Sequence, residues 1–283
     1  MSDDLPTLAV TGSTGAVGGL VAQALADAGL AQRLLVRDAA RAPRLDGATV
    51  AVAEYGDRAA ARDALKGVRT LLMVSAAESA DRLGEHCRFV DAAVEARVEH
   101  IVYTSFAGAS ADSVFTLGRD HWHTEEHIRE SGMRFTFLRD NFYLDFVPFF
   151  TGEDGVIRGP AGDGRAAMVA RADVARAAVA VLRDPGAHAD RTYAITGGEA
   201  ITLGEAAAVL SEVRGTPVSY HAETIPEAYA SRRRWPAPAW QYDAWVSTYT
   251  AIAAGEVAAV SDDVRQLTGR APLTLREVLE APS

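Results

Sequence analysis

A short apolar run, Leu8 to Thr11, leads directly into Gly12-Ser13-Thr14-Gly15-Ala16-Val17-Gly18, and a helical pattern follows from Gly15 to Ala28. Strand, glycine turn and helix in that order constrain this chain more than any other feature. Gly12 permits a tight turn, Gly15 lets backbone approach a pyrophosphate, and Gly18 lets helix pack close against strand. The helix N-terminus then offers N–H donors and the positive end of its dipole. Gly12, Ser13, Thr14, Gly15, Ala16, Val17 and Gly18 are therefore expected to hold a dinucleotide.

The same alternation continues. Arg33–Val36, Thr49–Ala53, Thr70–Val74, His100–Thr104 and Phe135–Leu138 read as strands, and helical patterns fall at 58–65, 84–96 and 119–131. Short apolar strands alternating with helices indicate a parallel sheet covered on both faces. The expected fold is α/β, a Rossmann-like doubly wound parallel sheet with a smaller, mainly helical C-terminal substrate-side region. Residues 1–150 are read as the dinucleotide-binding core and 151–283 as a cap, with one or two strands returning to the core sheet. The glycine-rich stretch 151–164 is read as a loop over a cleft.

Ligands in such sheets bind beyond the carboxyl ends of the strands. That places Val74, Ser75 and Ala76, then Thr104, Ser105 and Phe106, along the cofactor. After strand two the chain reads Val36-Arg37-Asp38, with Arg41 one turn on. A guanidinium there pairs with a 2′-phosphate, which favours NADP(H), while Asp38 keeps NAD(H) open. Asp57 either meets the adenine or only caps the next helix.

The Gly-x-x-Gly-x-x-Gly spacing with Val36-Arg37-Asp38 resembles the atypical short-chain dehydrogenase/reductases. The likeness is strongest to the NmrA-like group that contains type 2 quinone oxidoreductases and triphenylmethane reductase. It extends through Tyr55-Gly56-Asp57, Tyr103-Thr104-Ser105, His121 to Glu125, Leu138 to Asn141, Arg171 to Ala175 and Thr192 to Gly198.

Most short-chain dehydrogenases use a Tyr-x-x-x-Lys pair on the helix after strand five, the lysine lowering the tyrosine pKa. This chain's 28 basic residues include a single lysine, Lys66, which falls between strands three and four. Arginine does not titrate, so the tyrosine–lysine mechanism has no residue to run on. At the corresponding place stands His121-Trp122-His123-Thr124-Glu125. By the resemblance, His121 lies near the nicotinamide and positions substrate or supplies a proton. Glu125, four residues on, orients His121 or its helix. Asn141 belongs against the nicotinamide carboxamide, and Tyr143 joins it as a catalytic candidate. Phe142, Tyr143, Phe146, Phe149 and Phe150, with Trp235, Trp240, Tyr242 and Trp245, either wall a flat aromatic pocket or make ordinary core contacts.

The expectation is an NAD(P)H-dependent oxidoreductase passing hydride to a quinone or other planar aromatic acceptor. Such an acceptor needs positioning more than acid catalysis. A tailoring reductase or oxygenase-type enzyme acting on an aromatic polyketide, and a non-catalytic dinucleotide-sensing regulator, stay open. The partner is a small planar aromatic substrate, the chain a monomer or homodimer. A net charge of −10 argues against nucleic acid. No pattern of metal ligands stands out, and no apolar run reaches membrane length. Met1–Pro6 carries two aspartates and no apolar stretch of a secretory signal. The lone Cys87 allows no intrachain disulfide and is read as a small core hydrophobe, which fits the cytoplasm.

Overall fold

The computed structural model describes residues 5–281; of the Met1–Pro6 segment, the first four residues lie outside that range. Seven strands form one sheet in the order β3-β2-β1-β4-β5-β6-β9. They are β1 (Leu8–Thr11), β2 (Gln32–Val36), β3 (Ala48–Val52), β4 (Thr70–Met73), β5 (His100–Phe106), β6 (Arg134–Asp140) and β9 (Arg191–Ile195). β2 and β4 both run parallel to β1, with Ala9 opposite Arg33 on one side and Leu71 on the other. The strand order thus reverses between β1 and β4, which opens a crevice at their carboxyl ends. β9 is a strand from the C-terminal half that joins this sheet.

The helices between these strands are α1 (Ala16–Asp27), α2 (Arg58–Ala64), α3 (Arg82–Glu95), α4 (Thr116–Glu130) and α5 (Arg171–Arg183). Every residue of β5 is buried. A strand covered on both faces has no polar side, which is why His100–Thr104 reads as a continuous apolar run. Leu65, Phe89, Ile101, Tyr103, Ile128 and Phe137 form the centre of one core cluster. Asp57 caps α2, its Oδ1 accepting from the Ala60 N–H at 3.0 Å. Cys87 on α3 is half-buried rather than part of the core, and burial together with the Asp91 charge pushes its thiol pKa up.

The remaining elements are β7 (Val156–Gly159), β8 (Arg165–Ala166), β10 (Ile201–Thr202), α6 (Leu203–Arg214), β11 (Ser219–Ala222), α7 (Ile225–Arg232), α8 (Ala239–Ala253), α9 (Asp263–Thr268) and α10 (Leu275–Glu280). Part of the stretch 151–164 is thus strand and not loop. Val156–Gly159 pairs in parallel with Ser219–Ala222, Ile157 opposite Tyr220. Two apolar residues in four give too little pattern to announce it; the partner strand supplies the order. α6 opens with a capping box in which Thr202 and Glu205 satisfy each other's backbone N–H groups.

Two compact units interleave along the chain. The first comprises Met1–Ser105, Asp120–Arg139 and Val174–Tyr193, the second Phe106–Arg119, Asp140–Asp173 and Ala194–Ser283. Among the described residues, no helix is long and apolar enough to cross a membrane.

Candidate active site

The glycine turn of the first unit leaves no room for side chains at two of its positions. Gly12 sits at φ +66°, and a Cβ there would stand 3.1 Å from the Val74 Cβ. A Cβ at Gly18 would fall 2.3 Å from the Gly12 carbonyl oxygen, so any larger residue would push α1 off the turn. Thr14, Gly15 and Ala16 are exposed at the start of α1. No side chain caps that helix end, leaving its first N–H groups to a ligand. The Ser13 hydroxyl is buried with no hydrogen-bond partner among the described residues. An open helix end beside an orphaned hydroxyl fits the pyrophosphate of a dinucleotide, which would be held by residues 12–18.

Arg37 and Arg41 are exposed and have no carboxylate partner among the described residues. Asp38 is occupied locally, its Oδ1 accepting from the Ala40 N–H at 2.9 Å. Asp57 is likewise engaged as the α2 cap. Lys66 lies just past α2, ion-paired with Asp63 at 3.0 Å and well exposed.

His121 projects from α4 into a buried polar cluster. Its Nε2 lies 3.0 Å from Arg82 Nη2 and its Nδ1 2.9 Å from the Tyr103 hydroxyl. Burial and the Arg82 charge hold its pKa well below the usual histidine range, so the ring is neutral. A guanidinium only donates, so Nε2 accepts and Nδ1 carries the proton. Tyr103 is fully buried, which raises its phenol pKa. Glu125, on the next turn, is also fully buried. Its carboxylate accepts from the Ser105 hydroxyl at 2.5 Å and from Arg139 at 2.8 and 2.6 Å, with Arg129 at 3.1 Å. That cluster ties α4 to the ends of β5 and β6.

In the second unit, Asn141 is buried directly after β6. Its amide nitrogen donates to the Val257 carbonyl at 2.9 Å, and its oxygen accepts from the Phe142 N–H. Tyr143 donates its hydroxyl proton to Asp140 at 2.5 Å. Burial and the Asp140 charge push its pKa well above the normal phenol value. Phe106 packs with Phe115 and Phe142 at ring separations of 4.9 and 5.1 Å, so these rings are core contacts. Phe149, Phe150, Trp235 and Trp245 instead line a cavity of about 1310 Å³, with Tyr249 and Arg234. Phe149 is 80% and Trp235 50% exposed. The Arg234 guanidinium stacks on Trp235 at 3.9 Å and has no carboxylate partner among the described residues.

Arg82 and His86 carry much of this geometry without having been singled out by sequence, and Tyr55 and Arg139 entered only as part of the resemblance, with no role attached. The one local signal is the Arg82/His86 pair, polar residues at i and i+4 that share one face of α3 and are both buried. Among the described residues, no group of three or more His, Cys, Asp or Glu could hold a metal ion.

The model of the NmrA-like family matches residues 5–238. Quinone oxidoreductase 2 of Escherichia coli is 38% identical over 221 residues, covering 75% of this chain and 76% of that one. The crystal structure of that NADPH-dependent enzyme, complexed with NADPH, superposes with a TM-score of 0.88 at 32% identity, covering 96% and 98% of the two chains. The triphenylmethane reductase of Citrobacter sp. gives a TM-score of 0.86 at 32% identity, covering 97% and 98%. A (4-alkanoyl-5-oxo-2,5-dihydrofuran-3-yl)methyl phosphate reductase of Streptomyces griseus is 36% identical over 276 residues, 95% of each chain. With glycine turn, sheet order and sequence in agreement, this chain belongs to the NmrA-like family, and its homologues over most of its length are NAD(P)H-dependent oxidoreductases.

Proposed function

We propose that the chain is a reductase that binds NADPH in preference to NADH and delivers hydride to a planar, electron-poor acceptor of the quinone class. When bound, the reduced nicotinamide supplies that hydride. The observation that carries the reading is the engagement of His121. Its lone pair accepts from Arg82 and its proton is directed to Tyr103, so the ring has neither site free for an incoming oxygen. Lys66 is remote in sequence from α4, exposed and ion-paired. Residues 12–18 hold the pyrophosphate, and Val74, Ser75, Ala76, Thr104 and Ser105 line the dinucleotide from the strand ends of the first unit. His121 and Glu125 act by fixing α4, Tyr103 and Arg82 in place. A site that offers little acid catalysis suits an acceptor that is already electrophilic. The aromatic cavity suits the flat shape of such an acceptor.

Arg37 would pair with the 2′-phosphate, with Arg41 beside it. Calorimetric titration should find NADPH bound more tightly than NADH, and Arg37→Ala should narrow the gap about tenfold. NADH preferred by the wild type would overturn the cofactor assignment. Continuous NADPH absorbance with simple quinones should show turnover. No oxidation across a panel of quinones and aromatic dyes would overturn the acceptor assignment.

A second reading, a phosphate-bearing conjugated acceptor like that of the Streptomyces griseus reductase, is favoured by Arg234 on the cavity wall, which has no carboxylate partner among the described residues. It predicts that a phosphorylated enone outcompetes neutral quinones, and that Arg234→Gln erases the difference.

A further inference from the structure

β4 ends at Met73, and the next three residues leave the sheet ladder. Each of their backbone N–H groups is nevertheless taken by a side chain from a different element. The Val74 N–H donates to Thr11 Oγ1 on β1 at 2.9 Å. The Ser75 N–H donates to Thr104 Oγ1 on β5 at 2.8 Å. The Ala76 N–H donates to His86 Nε2 on α3 at 2.9 Å. Two carbonyls are held as well: Val74 accepts from the Tyr55 hydroxyl at 2.5 Å, and Ala76 from Arg82 Nε at 3.0 Å. A strand-end loop normally leaves such groups to water. Here the protein supplies five partners of its own.

His86 is the demanding member of the set. A backbone N–H only donates, so its Nε2 must be the unprotonated nitrogen. Burial and the Arg82 charge keep the ring neutral. Its proton is therefore on Nδ1 and goes to Thr124 Oγ1 at 3.0 Å, while the Thr124 hydroxyl donates onward to the Asp120 carbonyl at 2.7 Å. One ring in one tautomer thus joins α3, α4 and the Ala76 backbone. At the other end of the segment, the Val74 side chain packs against Gly12 of the phosphate turn.

We propose that His86 is a positioning residue for the dinucleotide: its Nε2 lone pair, with Arg82, fixes Val74–Ala76 against the glycine turn, so that the cofactor binds a segment already in its bound shape. This rests on the dinucleotide reading above. Pre-organisation of this kind raises affinity by removing an ordering cost from the binding step. A residue that only filled the core would do so without regard to the lone pair.

The test pairs His86→Leu, which removes the acceptor, with His86→Gln, whose Oε1 restores it. Amide hydrogen exchange at Ser75 and Ala76 is measured in the free protein, and NADPH affinity by calorimetry. His86→Leu should speed Ala76 exchange and raise the NADPH Kd, each by about tenfold, the scale of one hydrogen bond. His86→Gln should return both towards wild type. Should His86→Leu fail to fold, Thr124→Val removes the acceptor of the His86 Nδ1 proton without touching the dinucleotide-lining residues, and should raise the NADPH Kd in the same way. Faster exchange with unchanged NADPH affinity overturns the proposal, as does a His86→Gln protein that is no better than His86→Leu. A wild type that does not bind NADPH at all overturns the cofactor reading, and the proposal with it.

Discussion

The polar cluster around Tyr103 and the aromatic cavity beside Tyr249 are built on opposite principles. In the first, buried side chains satisfy one another: Arg82, His86, Tyr103, His121 and Thr124 are tied in one chain of contacts between 2.9 and 3.4 Å. In the second, large rings such as Phe149 and Trp235 stay exposed around an open volume, and stacking replaces hydrogen bonding. A fully satisfied buried network specifies one arrangement and is costly to disturb. An exposed aromatic wall adds little to folding and leaves its contact area for a ligand. The contrast teaches where stability and where selectivity reside: precision belongs to the first unit, adaptability to the second.

Breaking buried polar contacts in the first unit, at this network or at the neighbouring Glu125 cluster, should therefore have the largest effect. Glu125→Ala strips two arginines and Ser105 of a buried carboxylate. It should lower unfolding free energy by about 1–3 kcal/mol in urea titration, the scale of lost hydrogen bonds to a charged group, because Arg129 and Arg139 keep some access to solvent. A loss below about 1 kcal/mol would show that Arg129 and Arg139 simply turn to water.

Acid should break the Tyr103 network more gradually. His86 and His121 both have pKa values depressed by burial and by Arg82. Below about pH 6.5 the unfolded chain takes up protons that the folded protein refuses, so stability falls as pH falls through that range. The slope is at most about 1.4 kcal/mol per pH unit for each ring, and stability is flat in this respect above neutrality. Urea midpoints between pH 7 and 5 check it. His121→Gln, which cannot take up a proton, should flatten the slope.

The same contrast governs what could be read from the chain alone. The glycine turn, the alternation of strands and helices it starts and the α2 cap at Asp57 are local patterns, set by residues within a few positions of one another. They were legible for that reason. Phe149, Phe150, Trp235 and Trp245 were visible as aromatics, and geometry was needed to separate them from Phe142, which joins Phe106 and Phe115 in the core. The polar network was not legible. His86 meets Thr124 and Tyr103 meets His121 only because α3, β5 and α4 pack together, and no spacing rule links residues so far apart. β7 was missed on the same ground, since its order comes from β11 and not from its own four residues.

A substitution in the cavity should behave in the opposite way to one in the network. Trp235 offers half its surface to solvent and stacks under Arg234. Trp235→Ala should change unfolding free energy by no more than about 0.5 kcal/mol, because exposed positions away from buried networks rarely contribute more. It should raise KM for a planar quinone by up to about tenfold, the worth of one lost aromatic stack, with kcat and NADPH affinity unchanged. Steady-state kinetics over a quinone series checks the split. A matched fall in kcat would mean that Trp235 also holds the acceptor in its reactive pose. A loss of several kcal/mol in stability would place Trp235 with the buried residues and erase the distinction between the two regions.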